Sequence, residues 1–67
     1  MSNKDASVRS VERALDILDC FQPGRLELSL SDIASSINLA LSTCSRIIFT
    51  LEKRAYLVRS PETQKYS

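Results

Sequence analysis

Two apolar stripes of helical period lie almost end to end between Leu30 and Leu51, and the segment between them is too short to be an ordinary loop. Leu30, Ile33, Ala34 and Ile37 share one face of the first segment. Cys44, Ile47, Ile48 and Leu51 recur at i, i+3, i+4 and i+7 in the second. With the second helix beginning at about Leu41, only Asn38-Leu39-Ala40 separates the two helices. Helices joined this tightly must cross at a large angle, so the residue at the crossing has to be small and the turn has to accept a left-handed backbone. Ala34 fills the crossing position and Asn38 the turn. Leu39 is placed to plug the gap beneath it, with Cys44 and Ile47 anchoring the second helix. Small residue, turn residue and apolar anchors at these offsets predict a helix-turn-helix.

The flanking segments extend the prediction. Apolar residues at Val11, Ala14, Leu15, Leu18 and Phe21 predict an opening helix from about Val8, with that stripe facing the core, and Pro23-Gly24 ends it. Arg25-Leu26-Glu27-Leu28 alternates like one short strand. Ser29 caps the second helix, and Asp32 stands in for the longer Glu of a capping box. The third helix runs from about Leu41 to Arg54. Tyr56-Leu57-Val58-Arg59, a loop from Ser60 to Gln64 and Lys65-Tyr66-Ser67 then read as a hairpin. A plain helical bundle has no use for such a hairpin. The expected fold is therefore mainly α with a small β-hairpin wing, a winged helix-turn-helix on a three-helix core. Residues 1–7 are expected to form a loose arm and residues 8–67 the domain, a fragment of something longer.

Composition narrows the function. A chain of 67 residues buries only about 60% of its unfolded surface, which leaves no room for an enzyme pocket between two lobes. Histidine is absent, and Cys20 and Cys44 have no metal-ligand spacing, so no zinc site and no cofactor are expected. No apolar run approaches the ~20 residues that span a bilayer, and the polar N-terminus is no signal peptide. A cytoplasmic protein without a membrane partner is expected. Net charge is +1 and uneven: residues 1–39 hold four Lys/Arg against six Asp/Glu, and residues 40–67 hold five against two. The second half is the basic one, as a polyanion-binding surface would be.

At about 100° per residue, Ser42, Arg46, Phe49 and Lys53 point away from the core of the third helix, flanked by Ser45 and Thr50. Short hydroxyls near the start of a recognition helix allow close approach to a major groove, and an arginine one turn later reaches guanine edges or phosphate. Leu41, Ser42, Thr43, Ser45, Arg46 and Thr50 are the candidate groove residues. Arg59 and Lys65 flank the wing loop as candidate phosphate contacts. Phe49 is an aromatic on a solvent face: it meets a thymine methyl, meets a neighbouring subunit, or folds back over Ile48. Ile17 and Cys20 lie off the expected stripe of the opening helix, which makes them candidate dimer contacts. Cys44 reads as a small buried hydrophobe. The competing readings are a winged-helix protein-interaction or dimerisation module without DNA binding, and a cysteine-based redox sensor.

The residues also resemble a known family. Arg9-Ser10-Val11-Glu12-Arg13-Ala14-Leu15-Asp16-Ile17-Leu18 resembles the opening helix of IclR-type transcriptional regulators. Leu28-Ser29-Leu30-Ser31-Asp32-Ile33-Ala34 is similar to their second helix, and Leu39-Ala40-Leu41-Ser42-Thr43-Cys44-Ser45-Arg46 to the start of their recognition helix. Leu51-Glu52-Lys53-Arg54-Ala55-Tyr56-Leu57 and Pro61-Glu62-Thr63-Gln64-Lys65-Tyr66 match as well. The resemblance implies a double-stranded DNA operator as partner, a homo-oligomer in the whole protein, and a small-molecule effector bound by a C-terminal domain. Asn38, Ala55 and Gln64 depart from it, standing where the family usually has glycine. Ala40-Leu41 replaces a common Pro-Lys and removes a cation from the groove entrance.

Overall fold

The computed structural model describes residues 7–67. Of the arm expected at residues 1–7, only Ser7 falls within that range, and it is exposed. Three helices follow in order: α1 (Arg9–Asp19), α2 (Leu30–Ser36) and α3 (Leu41–Lys53). Helix α3 is the hub, packing against both α1 and α2. No single helix among the described residues is long and apolar enough to cross a membrane.

Each helix end has a local cause. The capping box forms at α2: the Ser29 hydroxyl accepts the Asp32 N–H at 3.1 Å, and an Asp32 carboxylate oxygen accepts the Ser29 N–H at 3.3 Å. At its other end Asn38 takes φ 54°. Its N–H donates to the Ser35 carbonyl, and Leu39 N–H donates to Ala34 at 2.9 Å. That pair of bonds is a Schellman motif, which satisfies carbonyls the helix would otherwise leave open. Helix α3 ends the same way. Ala55 sits at φ 68°, its N–H bonded to Glu52, and Tyr56 N–H reaches the Leu51 carbonyl at 2.8 Å. The third left-handed residue is Gln64, φ 64°, in the turn that closes Ser60 onto Lys65. The three positions where glycine was expected are therefore the three non-glycine residues with positive φ among those described.

The hairpin expected over 56–67 is reduced to isolated bridges. Arg59 pairs with Tyr66, and Val58 and Ser67 exchange N–H···O bonds of 3.0 and 2.9 Å. Instead of forming a strand, the segment Arg25–Leu28 contributes one bridge at each end, Gln22 with Arg25 and Leu28 with Tyr66.

Ile17, Leu28, Ile33, Ala34, Cys44, Ile48, Leu51, Leu57 and Tyr66 make the core. Helix α1 is rotated part-way from the expected phase: Ala14, Leu18 and Phe21 of the expected stripe pack against the core. Ile17 is completely buried, whereas Val11 and Leu15, assigned to the core by their spacing, are 55% and 53% exposed. The apolar arc of α1 spans more than half its circumference, so two stripes satisfy the helical period equally well. Docking on α3 selects the one centred on Ile17.

Candidate nucleic-acid interface

The chain bends by 112° between α2 and α3, within the range of a helix-turn-helix pair. Small Ala34, 4% exposed, lets the helices approach, and half-buried Leu39 packs under the turn. Cys44, Ile48 and Leu51 fix α3 from below and Ile47 packs against them. This leaves Leu41, Ser42, Thr43, Ser45, Arg46, Phe49, Thr50 and Lys53 exposed along the other side. All six candidate groove residues are thus on the surface of one helix. Glu52 is its one carboxylate, and the first turn has none.

That surface is divided. Thr43, Arg46, Thr50 and Ile47 line a cleft of about 890 Å³ between α1 and α3, whose other wall includes Arg9, Val11, Arg13 and Leu15. Leu41, Ser42, Ser45 and Phe49 lie outside the cleft. The Thr50 hydroxyl donates to the Arg46 carbonyl at 3.1 Å, so toward a ligand it offers an acceptor and a methyl group. The one ion pair among the described residues joins Arg13 to Asp16 at 3.2 Å, and the Arg46 guanidinium is left unclaimed by a carboxylate there. Arg9 escaped the sequence reading. Its place on the same cleft as Arg46 depends on how α1 crosses α3, and no spacing signal carries that.

Arg59 and Lys65 are exposed on either side of the turn Pro61–Gln64. The turn is braced locally: Thr63 N–H donates to the Ser60 hydroxyl at 3.4 Å, and Lys65 N–H to the Thr63 hydroxyl at 3.2 Å. Asp32 is held below the usual carboxylate range, first by the Ser29 backbone N–H and then by the Ser29 side chain, with the charges of Lys65 and Arg25 adding to it.

The two residues expected at a dimer contact differ in exposure. Ile17 is corrected: with no exposed surface, it holds α1 to the core and has nothing to offer a partner. Cys20 is half-buried against the core, its thiol bonded to the Asp16 carbonyl at 3.4 Å. Burial raises the Cys20 thiol, Arg25 opposes this, and Asp16 and Asp19 reinforce it. Burial likewise raises Cys44. A redox-sensing cysteine needs its thiol lowered, and neither is. Phe49 does not fold back over Ile48 far enough to be covered, since it stays 65% exposed.

The IclR helix-turn-helix domain family matches residues 10–61. The chain belongs to that family. The HTH-type transcriptional regulator XynR of Escherichia coli (strain K12) is 41% identical over 59 residues, covering 88% of this chain and 23% of that protein. The Glycerol operon regulatory protein of Streptomyces coelicolor is 35% identical over 60 residues, 90% of this chain and 24% of that one. Among solved structures, an IclR family transcriptional regulator from Brucella abortus superposes with a TM-score of 0.90 at 30% identity, over 96% of this chain and 24% of its own. An IclR-family regulator from Rhodococcus sp. gives 0.83 at 26%, over all of this chain and 27% of its own. The chain thus spans about a quarter of the length of these relatives. Its fold is that of an IclR helix-turn-helix domain.

Proposed function

We propose that this chain is a DNA-reading head in which α3 enters the major groove N-terminus first. Leu41, Ser42, Thr43, Ser45, Arg46 and Thr50 face the bases, and Arg59 and Lys65 hold phosphates from the turn beside them. The observation that carries this is the exposed side of α3, where hydroxyls and Arg46, unclaimed by a carboxylate among the described residues, stand beside Leu41, Phe49 and Lys53, and Glu52 is the helix's only carboxylate. Regulators four times as long share this domain, which supports the wider proposal of a cytoplasmic homo-oligomer whose effector binds outside these residues. The domain acts by binding and catalyses nothing.

The test is a titration of duplex DNA at two salt concentrations. With few cations on the surface, the 67-residue chain binds weakly and more weakly as salt rises. Arg46→Ala lowers affinity for a selected duplex more than for random duplex, the difference corresponding to about 1–3 kcal/mol. Lys65→Ala lowers both alike and flattens the salt slope by about one unit. Absence of binding at low salt, or binding indifferent to salt, refutes the proposal.

A further inference from the structure

Leu41 is the first residue of α3, and it is 53% exposed. The residue before it, Ala40, places no capping hydrogen bond over the helix start, and Ser42 and Ser45 beside it are short and exposed. Leu41 also lies outside the apolar cleft between α1 and α3, so an occupant of that cleft would leave it uncovered. In the major groove almost every group on a base edge is a hydrogen-bond donor or acceptor, which a leucine cannot satisfy. The exception is the C5-methyl of thymine.

We propose that Leu41 is a specificity residue that packs on a thymine methyl in the half-site addressed by Arg46. This rests on the DNA-reading role above and adds the base class that the start of α3 selects. Leucine excludes water from the methyl. Opposite guanine, adenine or cytosine it would instead strip water from a polar edge and return nothing.

Short duplexes enriched from a random pool by the chain supply the probe, and each thymine is then replaced singly by deoxyuridine, which removes only the methyl. One thymine per half-site is expected to show binding about three- to fivefold weaker as deoxyuridine. In Leu41→Ala that ratio falls to about one. Leu41→Lys, which lacks the branched apolar tip, likewise binds the thymine duplex and its deoxyuridine form alike. Phe49→Ala keeps the wild-type ratio. Circular dichroism checks that each variant is folded. A ratio that persists in Leu41→Ala, one lost in Phe49→Ala, or insensitivity at every thymine overturns the proposal while leaving the DNA-reading role intact. Failure to enrich any duplex overturns both.

Discussion

Leu28 and Tyr66 exchange both backbone hydrogen bonds, Leu28 N–H to the Tyr66 carbonyl at 3.0 Å and Tyr66 N–H to the Leu28 carbonyl at 2.8 Å. Both side chains are buried, at 4% and 8% exposure. This single bridge ties the end of the chain to the segment that leads into α2. It therefore fixes where Lys65 sits relative to the start of α2.

Leu28→Ala is expected to destabilise the domain by about 2–4 kcal/mol. A chain this small is stable by only about 3–10 kcal/mol in total, so the variant should sit close to its unfolding transition at room temperature. Urea denaturation followed by circular dichroism measures this. A loss under about 1 kcal/mol would mean that Leu28 is not a core residue.

The left-handed residues at the three turns predict gains rather than losses. Ala55→Gly removes the Cβ clash of a positive φ, about 1–2 kcal/mol, against about 0.5–1 kcal/mol of added chain entropy in the unfolded state. A net gain of about 0.5–1 kcal/mol is expected. Gln64→Gly should gain somewhat less. Asn38→Gly should gain least, because asparagine tolerates this conformation. Comparing urea midpoints ranks the three, and a destabilised Ala55→Gly would contradict the account.

Asp32 gives the domain an acid limb. Its carboxylate is held below its ordinary value in the folded state, chiefly by the Ser29 backbone N–H. Its contribution is therefore complete above the ordinary carboxylate value and is lost as pH falls through the lowered one. Asp32→Asn keeps an acceptor for Ser29 but no charge. Below about pH 4, wild type should lose stability more steeply than the variant. Parallel acid limbs in the two proteins would remove Asp32 from the account.

The thiols should separate by rate. Cys20, half-buried and raised by burial, is expected to react slowly with a thiol reagent in the native protein. Cys44 is completely buried, so its labelling should require unfolding and accelerate with urea in step with the unfolding curve. Equal rates at the two cysteines in the absence of urea would contradict this packing.

Local chemistry was legible in the sequence. Ser29 and Asp32 could be paired as a capping box because both partners lie within one turn, and Asn38 could be placed at a helix end because its own backbone preference puts it there. The stripe from Cys44 to Leu51 left one side of α3 outward, and the six candidate groove residues are indeed exposed on it. Periodicity of that kind requires knowledge of one helix alone.

The phase of α1 was decided elsewhere. Val11 and Ile17 both belong to an apolar arc wide enough for two stripes, and only the surface of α3 selects between them, burying Ile17 and exposing Val11. The same docking brings Arg9 to the cleft that Arg46 lines, and the Leu28–Tyr66 bridge settles where the final turn lies. Spacing along a chain sets which residues of one helix share a face. Which face is buried, and which distant residues line the cleft beside it, follows from the burial available when two elements meet, and that depends on both at once.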